Sequence, residues 1–148
     1  AHVFATDISG EALAVARMNA KRLNLNGQVT SVQGDLLTPT SESFDILVVN
    51  LPYIPSRRFA QLPREIRDYE PRIALDGGDD GLAVMRRLLA QLAAHAARGA
   101  IVFLEISEEQ GTAAIELVKQ MLPRASVTLH PDLEGLERVI EIQPTADR

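Results

Sequence analysis

The chain has 148 residues, of which 46% are hydrophobic and 24% are charged, so it is long enough to bury the core of one globular domain. A net charge of −5 argues against binding a nucleic-acid backbone through bulk positive charge, and the lack of cysteine excludes disulfides, zinc–thiolate sites and cysteine nucleophiles. No apolar run approaches the roughly 20 residues of a membrane-spanning helix, so we expect a cytoplasmic protein without a membrane partner. Because the chain begins at Ala1, directly before an apolar stretch, we also expect it to be part of a longer protein.

The first third of the chain predicts three strands and one helix. Residues 2–6 are apolar and end at an aspartate, which is typical of a buried strand. Ser9 is a good N-cap for a helix over residues 10–23, in which apolar residues recur at three- or four-residue spacing. That spacing predicts a buried face made of Leu13, Ala16, Ala20 and Leu23. Further strands are predicted over residues 28–33 and over residues 44–49, which are the most apolar.

The remainder of the chain predicts two helices and three strands after a long connection. Residues 51–81 contain many glycines, prolines and charges without periodicity, and long connections of this kind are often functional. Helices are predicted over residues 82–97, closed by Gly99, and over residues 108–122, ended by Pro123. The last strands are predicted over residues 100–106, 126–129 and 138–142. Strands alternating with helices predict an α/β fold with a mostly parallel sheet, whose two closing strands pair antiparallel.

Polar residues follow three of the predicted strands, namely Asp7, Asp35 and Asn50. Because ligands of parallel α/β sheets bind outside the carboxyl ends of the strands, we expect these residues to lie along one edge. A carboxylate at a strand tip can accept hydrogen bonds from a pair of ribose hydroxyls, although either aspartate alone would as readily cap a helix or a turn. Two such acids at strand tips favour nucleoside binding.

The corner Asn50-Leu51-Pro52-Tyr53 follows the most apolar strand. Asparagine and proline are common in turns, so one interpretation is a simple strand-to-loop turn. An asparagine amide beside a free backbone carbonyl would also accept both hydrogens of a substrate NH2 group, while a tyrosine ring would lie over the planar group that carries that nitrogen. The corner therefore suits a planar amide or an amino-substituted base.

Four stretches of the sequence together resemble one enzyme family. "VVNLPYIP" resembles the Asn-Pro-Pro-Tyr motif of S-adenosylmethionine-dependent methyltransferases that act on a nitrogen attached to a planar system. "TDISGEALAVARMNAKRLN" resembles the stretch that carries the ribose-binding acid in those enzymes. "LPREIRDYEPRIALDGGDDGLAVMRRLL" and "DLEGLERVIEIQ" resemble a signature and a closing hairpin of the N5-glutamine methyltransferases that modify peptide chain release factors.

This resemblance implies a Rossmann-like class I methyltransferase sheet, mostly parallel with an antiparallel C-terminal hairpin. It implies methyl transfer from S-adenosylmethionine to the side-chain amide nitrogen of the glutamine in the GGQ loop of a release factor, with no DNA, membrane or metal partner. The match covers about residues 1–143, so residues 1–148 would be a partial catalytic domain. The family's first strand, glycine-rich loop and first helix have no counterpart in the match, nor does its N-terminal helical domain.

The resemblance also assigns roles to cofactor-binding residues. Asp7 would hold the ribose hydroxyls of S-adenosylmethionine with Ile8 beside it. Asp35 and Leu36 would border the adenine, and Asn50 would lie close to both cofactor and substrate.

On the substrate side, the corner after the third strand would grip the amide. Asn50 would accept one amide hydrogen and the carbonyl of its neighbour the other, Pro52 would shape the turn, and Tyr53 would pack over the amide plane. The implied catalytic residues are thus Asn50, Pro52 and Tyr53. The implied substrate-binding residues are these three together with Leu51, Glu70 and Pro71. Glu70 and Pro71 lie at the start of a loop that continues to Gly81. No general base is expected, because the sulfonium methyl is already activated and the reaction depends mainly on alignment.

The sequence departs from the family pattern at two positions. Leu51 stands where the family usually has proline, which keeps the backbone carbonyl but loses the rigidity of a fixed φ. Leu136 stands where an arginine or lysine is more usual.

Other functions are either excluded or left open. The run from Asp76 to Gly81 resembles a calcium loop, but Gly78 replaces a ligand and Arg87 stands where the bidentate glutamate belongs. A catalytically inactive, partner-binding fragment stays open, as do ribosomal-protein glutamine and adenine-N6 methylation, although the acidic balance and the Glu70-Pro71 pair argue against DNA.

Overall fold

The computed structural model describes residues 1–144, and the chain divides into two compact units, Ala1–Glu42 and Ser43–Arg148. The predicted segments between residues 1 and 143 all lie within the described residues. None of the helices described up to residue 144 is long and apolar enough to cross a membrane.

The first unit is a strand–helix–strand element. β1 (Val3–Asp7) and β2 (Val29–Gln33) pair in parallel, and α1 (Gly10–Arg22) connects them. The predicted N-cap is confirmed, because the Ser9 hydroxyl accepts a hydrogen bond from the backbone N–H of Ala12 at 3.1 Å. Leu13 is buried as predicted.

Two expectations for the first unit are wrong. Leu23 is 67% exposed because α1 ends at Arg22 and Leu23 leaves the helical path. β1 is not buried, since Val3 is 48% exposed and Phe4 is 42% exposed. A two-stranded sheet with a single helix in its unit has too little apolar surface around it to enclose both faces of a strand.

The second unit contains a four-stranded sheet in the order β3-β4-β6-β5. β3 pairs with β4 in parallel, and β4 with β6 and β6 with β5 are antiparallel, as predicted for the closing strands. The strands are β3 (Phe44–Asn50), β4 (Ala96–Glu105), β5 (Ser126–Pro131) and β6 (Glu137–Gln143), and the helices are α2 (Arg64–Tyr69), α3 (Ala83–His95) and α4 (Gly111–Met121). Short 3-10 turns cover Ser56–Gln61, Arg72–Ala74 and Glu108–Gln110.

The core of the second unit lies where α3 and α4 cover the sheet. Its fully buried large side chains come from α3, α4, β4, β6 and the residue directly after β4: Leu88, Leu89, Leu92, Val102, Leu104, Ile106, Val118, Ile140 and Ile142. The alternation of buried residues along β4 and β6 follows the period of two that a strand imposes. Because burying one such side chain contributes about 1.5–3 kcal/mol, this core is the main anchor for the loops at the strand ends.

β3 is exposed on one face, although its residues are the most apolar of the predicted strands. It lies at the edge of the four-stranded sheet, and Ile46 and Val48 are 62% and 77% exposed. Asn50 shares the period-two register of these residues and is also exposed. The apolar composition of β3 therefore does not report its burial, because burial depends on which neighbours cover each face.

The helix predicted over residues 82–97 also ends earlier than expected. α3 stops at His95, and β4 begins at Ala96. Gly99 lies inside β4 with φ of 81°, where the register of the β3–β4 ladder shifts between Ala96 and Ile101. Gly99 thus accommodates an irregularity of the strand instead of closing the helix, which is a common use of a glycine in the left-handed region.

Candidate active site

Asp7 lies at the carboxyl end of β1, opposite Gln33 across the parallel ladder. One oxygen of its carboxylate accepts a hydrogen bond from the Ser9 N–H at 2.7 Å. Gln33 adds a bond from its side chain to the carbonyl of Ile8 at 3.1 Å. Asp7 thus combines a cap on the start of α1 with an exposed carboxylate whose second oxygen has no protein partner among residues 1–144.

Asp35 and Leu36 follow β2 at the same edge of the two-stranded sheet. Leu36 has φ of 53°, a left-handed conformation that is unusual for a bulky residue and costs roughly 1–2 kcal/mol. The turn is held by Thr38, whose N–H and hydroxyl donate to the carbonyl of Asp35 at 3.1 and 2.6 Å. Gly34 is tightly packed in this turn, because a Cβ there would lie 2.7 Å from Pro39. The first unit therefore brings the two predicted acids to one edge and holds Leu36 in a strained conformation beside them.

Asn50 lies at the carboxyl end of β3, opposite Glu105 at the end of β4. Its side chain is exposed and makes no hydrogen bond within the described part of the chain. The next residue, Leu51, is only 8% exposed, so the corner is anchored in the core directly beside a free amide.

The segment after Asn50 pairs with the end of the long connection. The N–H of Ile54 donates to the carbonyl of Leu75, and the N–H of Gly77 donates to the carbonyl of Ile54, both at 2.9 Å. The N–H of Ser56 donates to the carbonyl of Gly78 at 2.9 Å. The residues that the sequence assigns to the substrate loop are therefore fixed against the corner by backbone hydrogen bonds.

Asp76 stabilises this loop from within. Its Oδ1 accepts hydrogen bonds from the Ser56 hydroxyl at 2.6 Å and from the Gly78 N–H at 3.0 Å, and its Oδ2 pairs with Arg72 at 2.9 Å. The Ser56 hydrogen bond, followed by those from Gly78 and Arg72, lowers the pKa of Asp76 below its ordinary value. Asp76, the first residue of the run that resembles a calcium loop, thus joins three parts of the connection between β3 and α3.

Tyr53 is half-buried and is held at both ends. Its phenol donates a hydrogen bond to Oε1 of Glu105 at 3.3 Å. Its carbonyl accepts a hydrogen bond from the side-chain amide of Gln110 at 3.0 Å. Burial, and then the neighbouring charge of Glu105, raise the pKa of the Tyr53 phenol, whereas the charge of Arg138 partly opposes the shift. Tyr53 therefore presents a neutral ring in a defined position.

Glu105 and Gln110 were not predicted from the sequence. Glu105 ends β4, but the strand was predicted over residues 100–106, which placed Glu105 inside it, so the rule that selected Asp7, Asp35 and Asn50 did not reach it. Gln110 carries the pattern Ser107-x-x-Gln110, which is that of a capping box, and the structure contains that box. The capping pattern reveals the helix start but gives no sign of the contact with Tyr53.

The remaining predicted residues occupy more peripheral positions. Glu70 and Pro71 are exposed and follow α2, where the Glu70 N–H donates to the carbonyl of Ile66 at 2.9 Å. Asp7, Ile8, Asp35 and Leu36 belong to the first unit, whereas Asn50, Leu51, Pro52, Tyr53, Glu70 and Pro71 belong to the second.

A cavity of about 330 Å³ opens beside Tyr53. Apolar side chains and charged ones line it together, among them Ile54, Leu62, Arg57 and Glu109. Arg58 and Glu109 form an ion pair at this cavity. No group of three or more histidine, aspartate or glutamate side chains within residues 1–144 could hold a metal ion.

Known proteins similar to this chain are methyltransferases. No protein-family model matches the chain. It is 43% identical over 139 residues to the release factor glutamine methyltransferase of Moorella thermoacetica, covering 93% of this chain and 49% of that protein. It is 38% identical over 142 residues to that of Bacillus cereus, covering 94% of this chain and 50% of that protein. The chain thus spans about half the length of the curated relatives that it matches.

Solved structures with the same fold are also methyltransferases. A methyltransferase from Pyrococcus furiosus superposes with a TM-score of 0.69 at 20% identity, covering 99% of this chain and 64% of that one. An S-adenosylmethionine-dependent O-methyltransferase from Thermotoga maritima superposes with a TM-score of 0.58 at 15% identity, covering 100% of this chain and 51% of that one. The predicted α/β methyltransferase fold is confirmed, and the chain is related over almost its whole length to the release factor glutamine methyltransferases, as its sequence predicted.

Proposed function

We propose that the protein transfers a methyl group from S-adenosylmethionine to the side-chain amide nitrogen of a glutamine in a peptide chain release factor. The observation that carries the proposal is the corner after β3, where the exposed and unpaired amide of Asn50 stands directly before the buried Leu51 and the oriented ring of Tyr53. The relatives at 38–43% identity, which are release factor glutamine methyltransferases, support the choice of substrate.

Asn50 is the residue best suited to bind the target amide. Its Oδ1 would accept a hydrogen bond from one amide hydrogen, and the Leu51 carbonyl is the proposed acceptor for the other. With both N–H bonds held by acceptors, electron density stays on nitrogen and its attacking direction is fixed. Alignment of this kind can supply about 7–11 kcal/mol of the barrier in favourable cases.

Tyr53 would form one wall of the amide site. Its ring would stack on the plane of the glutamine amide, and the raised pKa of its phenol keeps it neutral around pH 7. Glu70 and Pro71, exposed after α2, are proposed to contact the peptide around the glutamine.

The residues of the first unit fit the adenosine half of the cofactor. Asp7 offers a free carboxylate oxygen for the ribose hydroxyls, and Ile8, Asp35 and the strained Leu36 would border the adenosine. Strained backbone conformations are often found where a ligand is held. When bound, S-adenosylmethionine supplies a methyl group whose carbon–sulfur bond breaks with both electrons going to sulfur, while the glutamine nitrogen takes the methyl and releases one proton to water.

Methyl transfer measured with labelled S-adenosylmethionine tests this function. Two release factors serve as acceptors, the natural protein and a variant whose target glutamine is replaced by alanine. We expect label in the natural acceptor alone, and binding of S-adenosylmethionine in the micromolar range by calorimetry.

Two results would contradict the proposal. Equal labelling of both acceptors would mean that another residue is methylated. No binding heat and no labelling would favour an inactive protein that only binds a partner. Ribosomal protein and adenine-containing DNA, offered as acceptors in the same assay, test the other two reactions that the sequence left open.

A further inference from the structure

Gln110 is a polar side chain inside the core of the second unit. It is only 8% exposed and is the one polar residue among the buried side chains described within residues 1–144. Its Nε2 donates to the carbonyl of Tyr53 at 3.0 Å and to the carbonyl of Gly81 at 3.3 Å, and its Oε1 accepts from the Ser107 N–H at 3.0 Å. Both faces of the amide are satisfied only in this orientation, because the reverse would set an acceptor against two carbonyls.

Helix capping accounts for only one of these three hydrogen bonds. In the capping box, the Oε1 of Gln110 accepts from the N–H of Ser107, and the Ser107 hydroxyl accepts from the N–H of Gln110. Neither contact uses the Nε2 group. The two hydrogen bonds that this group donates run to residues 57 and 29 positions earlier in the chain. They therefore connect distant segments and do not contribute to capping α4.

Gly81 packs closely against the same carbonyl. It has φ of 79°, and a Cβ at this position would collide with the Tyr53 carbonyl oxygen and lie 2.6 Å from Nε2 of Gln110. The Tyr53 backbone is therefore enclosed between a glycine that leaves room for it and an amide that binds it.

We propose that Gln110 is a positioning residue of the methyl-transfer site, which sets the place of Tyr53 by binding its carbonyl and tying it to Gly81 and to the start of α4. The inference rests on the proposed function, in which the Tyr53 ring forms a wall of the amide site. Gln110 acts on the backbone end of Tyr53, and Glu105 acts on the phenol end. Gln110 does not itself touch the substrate.

Three substitutions separate positioning from capping. Gln110→Glu keeps an acceptor for Ser107 but sets a carboxylate oxygen against the two carbonyls, and Gln110→Met removes all three hydrogen bonds at similar length. Ser107→Ala weakens the capping box without changing the bond to Tyr53. Gln120→Met, an exposed glutamine on α4, is the matched control.

The first measurement is steady-state methyl transfer at saturating release factor, corrected for the folded fraction. We expect both Gln110 variants to lower kcat at least about tenfold, because small misplacements of an aligned group are costly, while KM for S-adenosylmethionine changes less than about twofold. Gln120→Met keeps the natural kcat.

The second measurement is independent of catalysis. Tyr53 and Tyr69 are the two tyrosines of the chain, and Tyr69 is 83% exposed, so Tyr69→Phe leaves Tyr53 as the single phenol. Phenolate absorbance after rapid alkaline pH jumps then reports the Tyr53 pKa, which burial and then Glu105 raise and Arg138 lowers. We expect Gln110→Met to move this pKa towards the ordinary value of 10.0, and Ser107→Ala to leave it in place.

The two measurements distinguish the possible failures. If both Gln110 variants keep kcat per folded molecule and the Tyr53 titration, Gln110 is a capping residue and the proposal is overturned. If the natural protein transfers no methyl group, the proposed function fails, and the titration alone decides whether Gln110 holds Tyr53. A moved Tyr53 pKa together with a lowered kcat in the Gln110 variants supports both the proposed function and the positioning role of Gln110.

Discussion

The Tyr53 phenol donates a hydrogen bond to the carboxylate of Glu105, the residue that faces Asn50 across the β3–β4 ladder. The ends of two neighbouring strands thus hold the two side chains proposed to bind the amide. The oxygen–oxygen distance of 3.3 Å is longer than usual for such a bond, so its contribution is at the weak end.

We expect Tyr53→Phe to keep most of the activity, because the ring that stacks on the amide is retained. The lost hydrogen bond should lower the free energy of unfolding by less than about 1 kcal/mol. Tyr53→Ala removes the ring and should reduce kcat/KM about tenfold or more. Methyl-transfer rates and urea unfolding measure both effects, with Tyr69→Phe as the control. Equal activity of the phenylalanine and alanine variants would rule out a stacking role.

The pH dependence of stability provides a second test of Tyr53. Its pKa is raised in the folded state, first by burial and then by Glu105, so the folded protein resists its ionisation more than the unfolded chain does. The corresponding stability is present in full below the unfolded value of 10.0 and is lost as pH rises through the higher folded pKa. The free energy of unfolding, measured with urea at increasing alkaline pH, should therefore fall more steeply for the natural protein than for Tyr53→Phe. Parallel curves for the two proteins would contradict the raised pKa.

Asp80 should contribute stability that is lost in acid, whereas the contribution of Tyr53 is lost in alkali. The Arg86 guanidinium, and then the Leu82 N–H, lower the pKa of Asp80 to about 2. Its contribution is complete above the unfolded value of 3.8 and is lost as pH falls towards 2. Because the side chain is 48% exposed, solvent screening limits the effect to about 1 kcal/mol or less.

Asp80→Asn tests this contribution directly. The difference in unfolding free energy between the natural protein and this variant should be largest near neutral pH and vanish between about pH 4 and pH 2. Asp79→Asn, at an exposed neighbouring aspartate, is the matched control. A difference that persists unchanged in strong acid would mean that Asp80 acts through packing instead of charge.

Most of the fold followed from local sequence patterns. Hydrophobic periodicity and capping residues located all six strands and the three longer helices, because these signals lie within a few residues of the element that they specify. Ser9, for example, caps α1 through an N–H only three residues away. The polar residues at strand tips were located in the same way.

What local patterns missed depends on contacts between distant segments. Ile46 and Val48 are apolar yet exposed, since the exposure of an edge strand is set by its neighbours and not by its own composition. Gln110 is linked to Tyr53 across 57 residues. No spacing rule connects two such positions, so the support of the candidate site became visible only in the three-dimensional structure.

Asn50 is the most direct test of the candidate site. Its side chain is exposed and makes no hydrogen bond within residues 1–144, so Asn50→Ala should change the unfolding free energy by no more than about 0.5 kcal/mol. Loss of a hydrogen bond to the reacting group should lower kcat about 100-fold or more. Asn19→Ala on the exposed side of α1 is the control. A fall in stability that matches the fall in activity would show that Asn50 is structural.

Leu51→Pro tests whether rigidity at the corner limits the reaction. Leu51 is 8% exposed and follows the Asn50–Glu105 pair at the end of the parallel β3–β4 ladder, so proline there removes a backbone donor that faces β4. A lost hydrogen bond costs about 0.5–1.5 kcal/mol. Proline also has one side-chain carbon fewer, which costs about 0.8 kcal/mol when buried, and its stiffening of the unfolded chain offsets about 0.4–1 kcal/mol. We therefore expect a net loss of stability of about 1 kcal/mol.

Activity should rise in the same variant, because a fixed φ at residue 51 holds the carbonyl proposed to bind the amide in one direction. Pro52 already biases residue 51 towards an extended conformation, so a gain of a few-fold in kcat is expected, not one of orders of magnitude. Leu51→Ala keeps the backbone carbonyl and its flexibility but leaves a cavity, and it should lose about 2–5 kcal/mol of stability without a gain in kcat. If folded Leu51→Pro methylates no faster than the natural protein, rigidity at this position does not limit the reaction. In that case the carbonyl is already held by the buried Leu51 side chain and by the hydrogen bonds between residues 54–56 and 75–78.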